Sequence, residues 1–482
     1  MLFNSINYFL FLPAVLVVYY ILPDKFRWIL ILLSSIAFYM IGGAITIIMP
    51  VIIILITFFC GKLIEKTIDV KSKKLVFLAG LIINLGLLIF YKYFNFFLAT
   101  FFEGYDFINI FFGAKQAANH SSFILQIAIP LGISYITFQA IGYLIEIHWG
   151  NHKPEKRIAF FATYLLFFPK LLAGPIERAH NFIPQLYQKH EFNYDEVVEG
   201  LKRILWGLFK KLVIANRLAI YTDAVFNNSE QHSGITLLIA SFFFTVQLFA
   251  DFSAYTDMAI GTAQMLGYRL MENFDNPFIA KSITEFWRRW HISLSTWVTD
   301  YIYNPIVINM RNWGRWTQVF AAMVTFLILG FWHGASWNFI IFGFLHGFML
   351  SSEYLTRKIR KKIRNFIPAW INTFAGVSFT FLYFSFSLIF FKSKSTDTAL
   401  SIIDKIVIMK GPFFIDIITL LYGLVGVIIL LLIGLANIKN NSTSLPFHTK
   451  HWFLEQLQYG FLVYFILLIG VFDGGQFIYF QF

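Results

Sequence analysis

Long runs of apolar residues recur along the whole of this sequence, and they constrain its fold more than any other feature. Each run is close to or longer than the roughly 20 residues that a helix needs to cross the hydrocarbon core of a bilayer. Because backbone polar groups find no water in lipid, such runs must be helical. With 58% hydrophobic and only 13% charged residues, the sequence predicts an all-α polytopic membrane protein with about 10–12 transmembrane helices plus re-entrant and interfacial helices. The predicted spans are 6–22, 27–43, 44–60, 75–100, 122–147, 157–173, 235–265, 366–391, 414–436 and 457–475.

The net charge of +12 is concentrated in short connections between these runs. Five lysines lie in 62–74 and six basic residues lie in 357–364, which is the distribution of cytoplasmic loops under the positive-inside rule. The connections 103–121, 222–234 and 395–413 are poorer in positive charge and suit the opposite side of the membrane. The basic residues are therefore orientation signals, and a nucleic-acid partner is not expected.

Several kinds of chemistry find no support in the sequence. The single cysteine, Cys60, offers neither an intramolecular disulfide nor a thiolate metal site. No pair of histidines forms the HExxH motif of zinc enzymes, so no metal is expected. There is no glycine-rich phosphate loop and no GxSxG elbow, so the chain offers no obvious serine nucleophile. No internal repeat is evident, which weakens a transporter interpretation.

Two stretches carry polar residues in unusual settings. The segment LKRILWGLFKKLVIANR, 201–217, interleaves basic and apolar residues, as in a helix at the cytoplasmic interface or an ordinary amphipathic connector. Within the predicted span 235–265, Asp251 and Tyr255 share one helical face. Asp251 and a second acid of this helix, Asp257, could orient a histidine, bind a polar substrate or pair with arginines such as Arg288. They could equally belong to a structural ion-pair network, and both interpretations remain open.

The segment SITEFWRRWHISLSTWVTDYIYNP, Ser282 to Pro305, is the most polar aromatic-rich stretch. Ser282 and Glu285 fit a capping box, so we expect a helix to begin there and to end near Pro305. A helix with this many charges should lie at the interface or line a polar cavity. His291 is then either functional or a hydrogen-bonded packing residue. One face of the helix would carry Trp287, Trp290, His291, Leu294, Trp297, Val298 and Tyr301.

A second histidine, His333, interrupts a long apolar stretch in the sequence LGFWHGASW. Roughly 15 apolar residues on each side would reach about 22 Å, short of the roughly 30 Å hydrocarbon core. We therefore expect two re-entrant half-helices that break at His333 and Gly334 inside the membrane. A histidine there stays neutral near pH 7 and suits general-base chemistry. His346, further along, is expected to be a core histidine bonded to a neighbouring helix.

These residues resemble the membrane-bound O-acyltransferase superfamily, and more closely its bacterial branch of alginate and peptidoglycan O-acetyltransferases. The matching pieces follow the family's order. They are PLGISYITFQAIGYLIEI (130–147), LLAGPIER (171–178), FADFSAYTDMAIGTAQMLGYRLMENFDNPF (249–278), SITEFWRRWHISLSTWVTDYIYNP (282–305) and FWHGASWNFIIFGFLHG (331–347).

The resemblance implies a single domain over 1–482, with a catalytic core at about 122–350 and extra C-terminal helices at 366–482. It also implies a ring of helices around a central tunnel, with His333 as the catalytic histidine and His291 as the second active-site residue. The donor would be acetyl-CoA, with no bound cofactor. The expected partners are membrane lipid, a polysaccharide acceptor and a periplasmic protein of hydrolase-like fold, in the bacterial inner membrane. The residues expected to shape the substrate site are Asp251, Tyr255, Arg288, Trp287 and Trp332.

The expected function is transfer of acetyl from cytoplasmic acetyl-CoA to an extracytoplasmic polysaccharide such as alginate, peptidoglycan or another exopolysaccharide. Transfer would be direct or through the partner. The related D-alanyl transferases share these motifs but are usually shorter, so the spans at 414–436 and 457–475 favour the acetyl branch. D-alanyl or lipid O-acylation remains the alternative, and a polysaccharide transporter or export channel is a more distant one.

Overall fold

Helices account for the regular structure of this chain. The computed structural model describes residues 3–41, 43–111, 125, 129–414, 417–439, 452–472 and 477–478. Within those residues the only β-structure is one isolated bridge between Phe274 and Trp290, which confirms the predicted all-α class. The α-helices are α1 (Ile6–Ile21), α2 (Asp24–Met40), α3 (Ile48–Lys66), α4 (Val70–Leu88), α5 (Phe94–Phe111), α6 (Ile133–Trp149), α7 (Ile158–Leu166), α8 (Ala179–Phe182), α9 (Tyr194–Phe209), α10 (Asn216–Asn227), α11 (Gly234–Met265), α12 (Ile283–Arg289), α13 (Ile292–Val298), α14 (Asn304–Asn309), α15 (Arg315–His333), α16 (Trp337–Leu355), α17 (Arg357–Arg364), α18 (Ala369–Lys392), α19 (Thr396–Ile408), α20 (Ile417–Lys439) and α21 (Trp452–Ile469).

The protein is a multi-pass membrane protein. By length and composition, six helices of the described residues can cross a membrane, or seven if the bent pair α16 and α17 forms one span. Two shorter apolar helices, Ile6–Ile21 and Gly423–Leu432, accompany them. The six are Ile45–Lys66, Val70–Asp106, Gly234–Met265, Arg315–His333, Ala369–Lys392 and Trp452–Ile469.

The span predicted at 157–173 is wrong. Helix α7 contains only nine residues, about 13 Å of helix. It ends before Phe168 and Pro169, since the residue that precedes a proline is disfavoured in the helical region. The segment that follows is buried and non-helical, and it carries the start of the LLAGPIER motif.

Helix α11 is the central element of the fold. Most of its 32 residues are buried, and helices α9, α10, α18 and α19 pack against it. Helix α9 approaches so closely that a Cβ atom added to Gly200 would lie 2.6 Å from the carbonyl oxygen of Gly261. The two backbones therefore touch without intervening side chains.

The basic segment 201–217 does not lie at the interface as a surface helix. Helix α9 runs into a π-helical turn, Lys210–Ala215, in which every residue is buried. Lys210 reaches Asp257, and Lys211 forms an ion pair with Asp251 at 2.7 Å. These lysines face inward because α11 supplies buried carboxylates that the local sequence pattern does not reveal.

Helices α15 and α16 form an antiparallel hairpin. Each contains 19 residues. Helix α15 is by itself long and apolar enough to span a membrane, and α16 is so together with α17. The expectation of two half-helices too short to cross is therefore wrong in length, because both helices continue into the more polar flanking sequence. The hairpin connection, residues 334–336, still places His333 at its tip.

Close packing of this hairpin gives a testable result. A Cβ atom at Gly343 would lie 2.3 Å from the carbonyl oxygen of Phe326 on the facing helix. We expect Gly343→Ala to separate the helices and to lower the free energy of unfolding by about 1–3 kcal/mol. The measurement is the thermal unfolding midpoint in detergent. Gly460→Ala in α21 is the control, because nothing lies within 4 Å of the added atom; equal midpoints for the two variants would contradict the tight hairpin.

Candidate active site

His333 is the last residue of α15 and is buried. The chain leaves the helix at once, because Gly334 adopts an extended conformation. The imidazole lies among aromatic rings, with centroids 5.3 Å from Phe391 and 5.9 Å from Phe342. The helix end therefore places the histidine against aromatic side chains instead of in solvent.

His291 lies at a break between two helices, so the prediction of one continuous helix from Ser282 to Pro305 is wrong. Helix α12 begins as predicted, with the Ser282 hydroxyl accepting from the Glu285 N–H at 3.1 Å. It ends at Arg289, and α13 begins at Ile292. Between them His291 has a φ of 46°, a left-handed conformation that is uncommon for a residue other than glycine.

Hydrogen bonds to the preceding segment hold this break in place. The Asp275 N–H donates to the carbonyl oxygen of Arg289 at 2.9 Å, and the Ile292 N–H donates to that of Asn273 at 2.9 Å. These bonds replace helical bonds that α12 would otherwise continue. A strained residue that its surroundings hold in place is often part of a functional site.

Asn273 fixes the protonation of the His291 ring. Its side-chain oxygen accepts from the backbone N–H of Ser293 at 3.1 Å, which can only donate. The same oxygen lies 3.1 Å from His291 Nδ1, so Nδ1 carries a hydrogen and donates it. Burial lowers the pKa of the His291 imidazole, which is therefore neutral near pH 7. In this tautomer Nε2 carries the lone pair.

The indole of Trp332 brings the two histidines together. Its ring centroid lies 5.0 Å from that of His333 and 6.1 Å from that of His291. Tyr135 and Phe138 of α6 contact the same indole at 5.5 and 5.4 Å. Two buried imidazoles thus share one aromatic wall.

A cleft of about 740 Å³ lies beside this pair. Its inner wall includes Leu329, one helical turn before His333, and Ile292, next to His291. Neither histidine is among the residues that line it. The buried Trp287 and the exposed Arg288, two of the residues expected to shape a substrate site, both border the cleft. The other positively charged residues of its lining are Arg357, Arg360 and Arg364.

Asp251 and Tyr255 have partners on other parts of the chain. Asp251 pairs with Lys211, and its second carboxylate oxygen accepts from the N–H of Ile478 at 2.7 Å. Tyr255 stacks on Phe3, with ring centroids 4.7 Å apart. The structure therefore favours the ion-pair alternative for Asp251, and it gives this acid a lysine partner instead of Arg288.

His346 has the environment of a core histidine. Its Nδ1 accepts from the Trp287 indole N–H at 3.2 Å, and its Nε2 lies 3.0 Å from the Ser387 hydroxyl. Because an indole nitrogen can only donate, Nε2 carries the hydrogen and donates to Ser387. Both ring nitrogens are therefore used within the protein.

Sequence reasoning did not identify Asn273 as a site residue. It lies in the quoted segment ENFDNPF, 18 residues before His291, and nothing in the local pattern connects the two. Among the described residues, no group of three His, Cys, Asp or Glu side chains could hold a metal ion.

Comparison with known proteins identifies the class. The model of the membrane-bound O-acyltransferase family matches residues 156–392. The Probable alginate O-acetylase AlgI of Azotobacter vinelandii is 34% identical over 407 residues, covering 83% of this chain and 76% of that protein. The peptidoglycan O-acetyltransferase of Helicobacter pylori is 32% identical over 453 residues, covering 85% and 80%. The teichoic acid D-alanyltransferase of Bacillus subtilis is 30% identical over 275 residues, covering 55% and 69%.

The chain therefore belongs to the membrane-bound O-acyltransferase family and is an O-acyltransferase. The resemblance inferred from the two histidine motifs is confirmed. Both motifs lie within the matched residues 156–392.

The role of Asn273 is testable. Asn273→Ala removes the acceptor that selects the His291 tautomer, so we expect the rate of acyl transfer to fall about tenfold or more, since well-placed acid–base groups contribute about 10²–10⁴-fold. The measurement is acyl transfer by membrane vesicles supplied with a labelled acyl donor. Asn228→Ala, at an exposed helix end, is the control. An unchanged rate in Asn273→Ala would show that the tautomer does not matter.

Proposed function

We propose that this protein is an O-acetyltransferase of the bacterial inner membrane that passes acetyl from cytoplasmic acetyl-CoA to an extracytoplasmic polysaccharide. The observation that carries the proposal is the pair of buried histidines across Trp332, beside a cleft with a basic rim. Imidazole that is neutral near pH 7 can remove a proton from a hydroxyl, and the dry surroundings protect a thioester from hydrolysis.

The donor enters from the basic side. Arg357, Arg360 and Arg364 line the cleft from helix α17, within the cluster that the positive-inside rule assigns to the cytoplasm. Guanidinium groups suit the phosphates of CoA, since they offer paired N–H donors. The thioester arm would then run along the wall toward Leu329 and His333.

In the transfer step His333 acts as general base and His291 positions a substrate. His333 takes the proton of the acceptor hydroxyl while the hydroxyl oxygen forms a bond to the acyl carbon. The carbon–sulfur bond breaks, and the proton passes to the departing thiolate, which leaves as the free thiol of CoA. His291, with its lone pair at Nε2, accepts a hydrogen bond from a neighbouring hydroxyl and so orients the acceptor.

The extent of alignment favours acetyl over D-alanyl as the group that is transferred. The peptidoglycan O-acetyltransferase aligns with 85% of this chain, whereas the teichoic acid D-alanyltransferase aligns with 55%. The chain also carries helices α20 and α21 beyond the matched family region. Acetyl reaches the polysaccharide directly or through a periplasmic partner of hydrolase-like fold, which would supply the serine nucleophile.

Removal of the proposed base tests this function. We expect His333→Ala to abolish O-acetylation of envelope polysaccharide while the amount of protein in the membrane stays normal, because the acceptor hydroxyl then has no base. The measurement is base-labile acetate released from purified polysaccharide. His180→Ala, an exposed histidine of α8, is the control and should retain wild-type acetylation. Normal acetylation by His333→Ala would reject the assignment.

The basic rim gives a separate prediction about the donor. We expect Arg357→Gln combined with Arg364→Gln to raise the KM for acetyl-CoA about fivefold, since two exposed charge contacts together contribute about 1 kcal/mol. The measurement is release of free CoA thiol by inverted membrane vesicles, whose cytoplasmic face is outward.

The control for that experiment has the same change in charge on the same helix. Lys358→Gln combined with Lys361→Gln alters two positions that do not line the cleft, and it should leave the KM near the wild-type value. Equal effects of the two double variants would indicate general attraction to the basic surface instead of a phosphate site in the cleft.

A further inference from the structure

Lys92 is a charged residue within an apolar helix. It belongs to the continuous helical stretch Val70–Asp106, which is long and apolar enough to span a membrane. An ammonium group in such a helix is costly unless the protein compensates its charge, so its presence indicates a specific role. In the part of the chain that the structure describes, no carboxylate forms an ion pair with it.

The compensation comes from the end of the helix that carries His333. The Lys92 ammonium donates to the carbonyl oxygen of Trp332 at 2.8 Å and to that of His333 at 3.2 Å. The last carbonyl groups of a helix lack partners within the helix and carry its partial negative charge. A cation there satisfies both carbonyls and matches the helix dipole.

A π-helical turn delivers Lys92 to this place. Residues Ile89–Tyr93 form the turn between α4 and α5, and such turns occur frequently at functional sites. The next residue, Tyr93, donates its hydroxyl to the same Trp332 carbonyl at 3.3 Å. Its ring stacks on Phe331, with centroids 4.2 Å apart. One irregular turn therefore holds three consecutive residues at the end of α15.

We infer that Lys92 is a positioning residue for acyl transfer: its ammonium anchors the carbonyl end of α15 and thereby fixes where the His333 imidazole stands. The backbone of His333 has no continuing helix to hold it, because the chain turns extended at Gly334. The orientation of the imidazole thus depends on contacts from outside α15. This inference rests on the proposed role of His333 in the reaction.

The experiment compares variants of Lys92 in inverted membrane vesicles supplied with acetyl-CoA, with the release of free CoA thiol measured per amount of protein. Lys92→Met keeps the length of the side chain and removes the charge and the donors. We expect kcat to fall about tenfold or more with an unchanged KM, since small misplacement of a reacting group lowers the rate by up to about 10²-fold. Lys92→Arg, which keeps a cation and its donors, should recover most of the rate.

The matched control is Lys62→Met, because Lys62 also donates to a backbone carbonyl, that of Lys156 at 3.3 Å, but at an exposed site. It should retain wild-type kcat. Thermal unfolding of each variant is measured in detergent, and Lys92→Gln replaces Lys92→Met if the latter does not fold. Wild-type kcat in the folded neutral variant, or failure of Lys92→Arg to restore the rate, overturns the inference.

His333→Ala in the same vesicles distinguishes a failure of the proposed function from a failure of the inference about Lys92. An active His333→Ala variant rejects the proposed function and the inference with it. An inactive His333→Ala variant beside a fully active Lys92→Met variant rejects the inference alone.

Discussion

A polar group buried among apolar side chains is tolerated only where another group of the protein satisfies it, and the arrangement of this protein follows from that constraint. Asp257 accepts from Arg203 and lies against Lys210, while Asp251 pairs with Lys211. Each of these contacts joins the α9 segment to the central helix α11. The charges therefore act as fixed connections within the bundle, and their removal on one side alone would leave the partner buried and uncompensated.

The same constraint explains why the histidines lie where regular helix stops. His333 is at the end of α15, and His291 occupies a left-handed position between α12 and α13. At both places the backbone needs partners from another part of the chain. Asn273 supplies them to the His291 segment, and Lys92 supplies them to the end of α15. The groups that satisfy the backbone also fix the imidazoles, so the irregular structure and the candidate chemistry have one physical origin.

The sequence predicted what depends on local pattern and missed what depends on distant partners. Apolar runs predicted the all-α membrane class, and Ser282 with Glu285 predicted the start of α12, because both signals act within a few residues. The break at His291 depends on Asn273, and the burial of Lys211 depends on Asp251, 40 residues away. Lys92 meets the carbonyl of Trp332 across 240 residues. No periodicity in one segment contains such information.

The position of the cleft relative to the histidines bears on how a thioester could be used without being hydrolysed. Trp287, Phe326 and Leu329 form part of the cleft wall, and the histidines lie outside its lining. His291 is fully buried and His333 is only 6% exposed. Under the proposed function, a donor arm that fills the cleft along this apolar wall would also keep water away from its own thioester. The aromatic rings around Trp332 would thus serve the proposed exclusion of water as well as the packing of the histidines.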